Sequence, residues 1–207
     1  MNYKTEQEEF WAGEFGEEYI SRNNSKGLLA SNINFFSKAL RAAGRPESLI
    51  EFGANIGMNL QAIQTLYPGI KLHGIEINKA ASAELAKIIS SEHVSNASIF
   101  DYEDKSKYDV SLIKGVLIHI NPDMLNIVYE RLYKASSKYI LVCEYYNPSP
   151  VVISYRGHSD RLFKRDFAGE LMAKYKDVVL VDYGFVYKRD PAFPQDDITW
   201  FLLEKKK

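Results

Sequence analysis

The sequence has a single cysteine, Cys143, among 207 residues, so no intramolecular disulfide can form. The thiol stands in the apolar run Tyr139-Ile-Leu-Val-Cys143, which reads as a buried strand in a protein of reducing, cytoplasmic surroundings. No stretch of about 18 apolar residues occurs, and the segment from Met1 to Phe10 is polar and acidic, so neither a membrane span nor a signal peptide is expected. An excess of one charge is also lacking. With 26 basic against 27 acidic residues, the chain has no general attraction for nucleic acid or an anionic membrane surface. Its four histidines, His73, His93, His119 and His158, are scattered without paired metal-ligand spacing, and no metal is expected. The Gly-x-Ser-x-Gly elbow of serine hydrolases and the Gly-Lys-Ser/Thr ending of a phosphate-binding loop are both missing.

What is present is a composition of 46% hydrophobic and 26% charged residues, enough for one sizeable core. Residues 1–207 read as one domain, monomeric or homodimeric. A helical cap spans 1–46, a ligand-binding core 47–145, and a loop with terminal strands 146–207. Trp11, Phe15 and Tyr19 recur at spacing four, predicting one aromatic face on a helix from Glu6 to Arg22 that Gly13 and Gly16 weaken. A second helix is predicted from a Ser31 cap to Ala43. Strands at Leu49–Phe52, Ile70–Ile75, Ala97–Phe100, Tyr108–Ile113 and Tyr139–Cys143 then alternate with helices at Met58–Leu66, Lys79–Ile89 and Pro122–Ala135. Such alternation demands parallel strands joined by crossover helices, hence a doubly wound, Rossmann-like α/β sheet. After Glu144 a polar and aromatic loop runs to Phe163, followed by a helix over Arg165–Lys174. Runs at Val178–Asp182 and Ile198–Glu204, with no helix between, predict an antiparallel terminal pair.

Glu51-Phe-Gly53-Ala-Asn-Ile-Gly57 joins the first strand to a helix, where glycines let backbone approach a ligand closely. Asn55 replaces the central glycine of the dinucleotide fingerprint, which turns the reading from a pyrophosphate toward a nucleoside with an amino-acid tail. As plain turn residues Gly53 and Gly57 would need no ligand; the company they keep argues for one. Glu76 ends the second strand 23 positions after Gly53, near the offset at which an acid meets ribose hydroxyls. Asp101, at the predicted end of the third strand, is placed to receive an adenine amine, with Phe100 or Tyr102 packed on the ring; a strand-end turn is its other reading.

Glu51-Phe-Gly-Ala-Asn-Ile-Gly57, Glu76, Phe100-Asp101 and Lys114-Gly-Val-Leu-Ile-His-Ile120 together resemble class I S-adenosylmethionine-dependent methyltransferases. That resemblance implies that Gly53, Asn55 and Gly57 hold the methionyl part, Glu76 the ribose and Asp101 the adenine, with Lys114 through His119 beneath the sulfonium. The segments Phe10 to Asn23, Glu144 to His158 and Leu162 to Glu170 look like the methylases associated with pseudaminic acid biosynthesis. They imply a nonulosonic-acid sugar or its nucleotide-activated precursor as acceptor, and S-adenosylhomocysteine as the product of the donor.

Methyl transfer from a sulfonium is an in-line displacement in which alignment does most of the work. A base near the acceptor helps; His119 is the first candidate and His158 the second, although a histidine at 119 also serves simply to hold its loop. Tyr145, Tyr146, Asn147, Tyr155, Arg156 and Arg161 form a polar segment suited to a sugar, with Arg156 or Arg161 gripping a carboxylate or phosphate; a solvated loop is the plainer reading. Trp11 and Tyr19 are expected to close over the cofactor, with Arg22 reaching the methionyl carboxylate, or else to pack as core. A nicotinamide-dependent oxidoreductase and a non-catalytic nucleoside-binding scaffold are the rival readings.

Overall fold

The computed structural model describes residues 3–16, 25–103, 106–155 and 158–206, with the backbone alone at 154–155 and 158–161. Six named helices are α1 (Glu6–Ala12), α2 (Lys26–Ala39), α3 (Met58–Leu66), α4 (Lys79–Ile89), α5 (Leu125–Ala135) and α6 (Phe167–Lys174). The strands are β1 (Ser48–Phe52), β2 (Lys71–Ile75), β3 (Val94–Ser95), β4 (Tyr108–Lys114), β5 (Ser136–Glu144), β6 (Val151–Tyr155), β7 (His158–Lys164), β8 (Val178–Val186) and β9 (Ile198–Lys205). Seven of them form one sheet in the order β3-β2-β1-β4-β5-β9-β8, parallel from β3 to β5 and antiparallel across β5, β9 and β8. The doubly wound sheet and its antiparallel terminal pair are as the sequence predicts. No helix among the described residues is long and apolar enough to cross a membrane.

The alternation of side chains along each strand divides the core. Leu49, Leu72, Leu112 and Leu141 face one side, where Phe35, Phe36 and Leu40 at the α2 end, Leu60 and Ile63 of α3, and Leu85 of α4 cover them. Ile50, Ile75, Ile113 and Val142 face the other, beneath Val128 and Leu132 of α5 and Phe167 and Leu171 of α6. Central strands are therefore apolar on both faces, as a sheet covered by helices on both sides requires.

The second helix ends at Ala39, β5 starts at Ser136 and β8 runs to Val186, against the expected Ala43, Tyr139 and Asp182, and four further differences from the sequence reading have an evident local reason. The first helix stops at Ala12, where Gly13 adopts an extended backbone and its N–H closes on the Glu9 carbonyl at 3.0 Å. Tyr19 and Arg22 lie outside the described residues. The cap of helix α2 is Ser25, six residues before the expected Ser31, because Ser25 Oγ accepts the Leu28 N–H at 3.1 Å. Ser31 is instead a buried residue of its second turn.

The third strand is only Val94–Ser95; Ala97–Phe100 is not a strand. Asn96 donates its side-chain amide to the Glu76 and Ile77 carbonyls at 2.9 and 3.1 Å and turns the chain away from the sheet. The apolar pair Ile99-Phe100 is then covered by packing rather than by strand pairing, with the Asp101 and Tyr102 N–H groups folded back on the Ser98 carbonyl. Finally, the expected loop contains an antiparallel pair, β6 (Val151–Tyr155) and β7 (His158–Lys164), with Val152 opposite Phe163 and Ile153 opposite Leu162. Pro148 and Pro150 obscure its start.

Leu141, at the middle of β5 and wholly buried, tests the packing. Leu141→Ala is expected to cost about 2–5 kcal/mol in urea denaturation; a loss under about 1 kcal/mol contradicts a tightly filled face.

Candidate active site

The sheet order reverses between β1 and β4, and at the carboxyl ends of these strands lies a cavity of about 890 Å³. Its floor is the loop 53–57. Gly53 has φ +78°, and a Cβ there would meet Val116 Cγ2 at 2.6 Å; Gly57 has φ +86°, and its Cβ would meet Leu85 Cδ1 at 2.7 Å. Asn55 is left-handed at φ 48°, a conformation asparagine tolerates better than most residues.

The loop's amide groups are all engaged inside the protein. The Gly53 and Ala54 N–H groups donate to the Ile75 carbonyl at 2.9 Å each, and that of Gly57 to the Ala54 carbonyl at 2.9 Å. The Ile56 N–H donates to Asn55 Oδ1 at 2.7 Å, and the Asn55 N–H to Glu76 Oε2 at 2.8 Å. A nucleotide-binding loop of the dinucleotide type presents such amides to phosphate. This loop retains none for the purpose between 53 and 57.

Glu76 is buried at the end of β2, and its other oxygen accepts the Asn78 N–H at 2.7 Å. Burial raises its pKa from the usual carboxylate value, while the N–H groups of Asn78, Asn55 and Ile77 oppose the rise. A carboxylate offers about four lone-pair positions, so these bonds fix its direction and leave capacity for hydroxyl donors in the cavity.

Two further carboxyls, which the sequence reading does not place in the site, lie beneath it. Glu51 ends at the base of the glycine loop, with Oε1 accepting Asn59 Nδ2 at 2.6 Å; Glu144 Oε1 accepts the Val116 and Leu117 N–H groups at 2.9 Å each. Among the described residues Oε2 of both is buried without a hydrogen-bond partner. Burial pushes Glu51 up to about 7 against the pull of Asn59 and Lys114, and Glu144 up to about 7 against its backbone donors. Glu144 thereby pins the segment 116–118 that continues into His119.

Helix α1 roofs the cavity. Asn78 caps α4 through Oδ1, which accepts the Ala81 N–H at 3.0 Å, and its Nδ2 donates to the Trp11, Ala12 and Gly13 carbonyls at 3.4, 3.2 and 3.4 Å. Gly16 passes so close that a Cβ would sit 2.0 Å from the Trp11 carbonyl oxygen, which gives the Gly13 to Gly16 spacing a packing purpose. Ser98 hydroxyl donates to Glu8 in the buried roof contact, and the Trp11 ring lies 4.7 Å from that of His119.

Of the residues singled out by sequence, Trp11, Gly53, Asn55, Glu76, Lys114, His119 and Tyr145 line the cavity, and Gly57 starts α3 just behind it. Asp101 does not line it: with its strand replaced by a turn, it sits exposed in an ion pair with Lys4. Tyr102 packs into the core, edge-on to Phe52 at 6.0 Å, and Phe100 takes the place at the wall. Tyr146 is exposed against Phe201, and Asn147 donates to the Ser149 carbonyl at 2.5 Å; neither lines the cavity. Arg156 lies outside the described residues, as do the side chains of Tyr155, His158 and Arg161. Part of the wall comes instead from α2 and the β8–β9 connection, where Asn32 and Gln195 are buried. No local motif marks them, and they meet across 163 positions of chain.

No protein-family model and no curated protein sequence matches the chain. Solved structures do. The 1,6-didemethyltoxoflavin-N1-methyltransferase of Burkholderia thailandensis, with bound S-adenosylhomocysteine, aligns at TM-score 0.69 and 14% identity over 100% of this chain and 94% of its own. The magnesium protoporphyrin IX methyltransferase of Synechocystis PCC 6803, with bound S-adenosylmethionine, aligns at 0.68 and 10% identity over 100% of both chains. A plantazolicin methyltransferase in complex with S-adenosylhomocysteine aligns at 0.67 and 16% identity over 97% of this chain and 94% of its own. This is the class I methyltransferase fold. At these identities the likeness establishes architecture, and the use of the cleft rests on its own geometry.

Glu51 and Glu144 generate a pH prediction. A carboxyl held near 7 rather than 4.5 binds its proton more tightly in the folded protein, so its contribution is complete below pH 4.5 and lost as pH rises through 7. The thermal midpoint should fall from about pH 5 to about pH 8, and the double variant Glu51→Gln, Glu144→Gln should show a flatter decline. Equal slopes for parent and variant contradict the assignment.

Proposed function

We propose that the protein is an S-adenosylmethionine-dependent methyltransferase that transfers a methyl group directly, in line, to nitrogen or oxygen of a small polar acceptor. The observation that carries this reading is the pairing of a fully engaged glycine loop with the Glu76 carboxylate. Together they offer a seat for a ribose diol and an aliphatic tail but no loop amides for a pyrophosphate. The nicotinamide alternative needs those amides.

Within this reading Glu76 receives the ribose hydroxyls, Ile77, Ile99 and Phe100 supply apolar wall for a purine, and Gly53 admits the methionyl tail beside Val116. Glu51, buried at the loop's base with Asn59 and Lys114, fixes the floor. The donor supplies an electrophilic methyl carbon on a sulfonium, which leaves as a neutral thioether. The protein's part is alignment, for which well-oriented reactants draw about 7–11 kcal/mol. His119, held by Glu144 through the preceding turn and covered by Trp11, stands where it can take the acceptor's proton.

The likeness of the chain's two ends to methylases of pseudaminic acid biosynthesis supports a nonulosonic-acid sugar, or its nucleotide-activated precursor, as acceptor, with Tyr145 at its side of the cavity.

Titration calorimetry with S-adenosylhomocysteine and with NAD separates the two cofactor readings: the first should bind and the second should not. Glu76→Ala should weaken S-adenosylhomocysteine by about 10- to 100-fold, the worth of hydrogen bonds to a charged group. Binding of NAD in preference, or unchanged affinity in Glu76→Ala, overturns the assignment. Mass spectrometry of nucleotide-activated sugars incubated with protein and donor should show one added methyl; no gain on any such sugar removes the sugar acceptor.

A further inference from the structure

Two amides meet in the part of the cavity wall formed by α2 and the β8–β9 connection. Asn32 is 2% exposed in the second turn of α2 and Gln195 is 7% exposed in the connection from β8 to β9, and both line the cavity. Gln195 Nε2 donates to Asn32 Oδ1 at 2.7 Å. That bond uses one donor and one acceptor. Among the described residues, Asn32 Nδ2 and Gln195 Oε1 take part in no other hydrogen bond, and neither atom is sealed away from the cavity. Exchanging oxygen and nitrogen on both side chains leaves the same result, one free N–H group and one free carbonyl.

Burying an amide with half of its capacity unmet costs stability unless something in the cavity completes it. Neither residue carries charge. The lysine and acid of this wall, Lys188 and Asp196, sit at the exposed rim, where water screens them. The inner wall therefore reads a neutral ligand edge that has an acceptor and a donor side by side.

We propose that Asn32 and Gln195 are the acceptor-recognition pair, and that they bind an acceptor through a secondary amide, lactam or amidine. The proposal rests on the methyltransferase reading, which assigns the glycine loop and Glu76 to the donor. A carboxylate would find one donor and one repelling carbonyl; a simple ketone would leave the Gln195 oxygen unsatisfied. An N–H beside a C=O satisfies both.

The test uses the whole protein, isotope-labelled on nitrogen, with and without saturating S-adenosylhomocysteine. Its probes are the lactam pyrrolidinone and its isostere cyclopentanone, read on the side-chain amide resonances of Asn32 and Gln195. Pyrrolidinone should shift both amides saturably and bind about tenfold more tightly than cyclopentanone. Gln195→Met should remove that preference while holding S-adenosylhomocysteine affinity within about twofold, and Asn32→Leu serves if the first variant fails to fold. Equal binding of the two probes, as a wall satisfied by water would give, overturns the proposal, and so does a preference that survives both substitutions. Failure of S-adenosylhomocysteine to bind, with the lactam preference intact, counts against the methyl-donor reading alone and leaves the pair's chemistry standing.

Discussion

The site depends on a buried carboxylate whose direction is set by main-chain amides. Glu76 accepts the N–H groups of Asn55 and Asn78 at 2.8 and 2.7 Å, one from the loop after β1 and one from the cap of α4. It thereby adds a side-chain tie to two adjacent strand ends that already pair through their backbones, with the Gly53 and Ala54 N–H groups on the Ile75 carbonyl. Asn78 then carries the tie upward to the carbonyl ends of α1. Floor, wall and roof of the cavity are linked through one buried carboxyl, whose desolvation is offset by hydrogen bonds from the main chain. Glu144 repeats the device at the end of β5, where it fixes the 116–118 turn beneath His119.

Much of this was legible in the sequence because parallel sheets leave a strong trace. Short apolar runs alternating with amphipathic segments have few solutions, and the limits of α3 and α4 fall where the pattern places them. Glycine at 53 and 57 was legible for a physical reason too, since both need positive φ and open space for a neighbouring side chain. What misled was local apolarity. Ile99-Phe100 looks like a strand, but a turn buries it equally well, and moving that one element took Asp101 and Tyr102 out of the cavity.

The pairing of Asn32 with Gln195 was not legible at all. Asn32 lies inside a helix and Gln195 in a proline-flanked connection, and neither neighbourhood differs from ordinary surface sequence. Their significance arises only when the antiparallel pair β8–β9 returns its connecting segment across the sheet edge to α2. Polar residues at element ends next to strand termini can be inferred from order alone; contacts made by long-range closure cannot.

One consequence of the engaged glycine loop concerns how such a cleft can change over evolution. On the proposed reading, discrimination against phosphate resides in where five main-chain N–H groups point: those of Gly53, Ala54 and Gly57 are held by backbone carbonyls that side-chain exchange does not move, and those of Asn55 and Ile56 by the Glu76 and Asn55 side chains. Conversion to a phosphate reader would demand a rebuilt backbone path, whereas the wall of α2 and the β8–β9 connection can be rewritten one residue at a time. Under that reading, diversification over short mutational distances is channelled toward new acceptors, with the backbone-held part of the donor's seat kept by geometry.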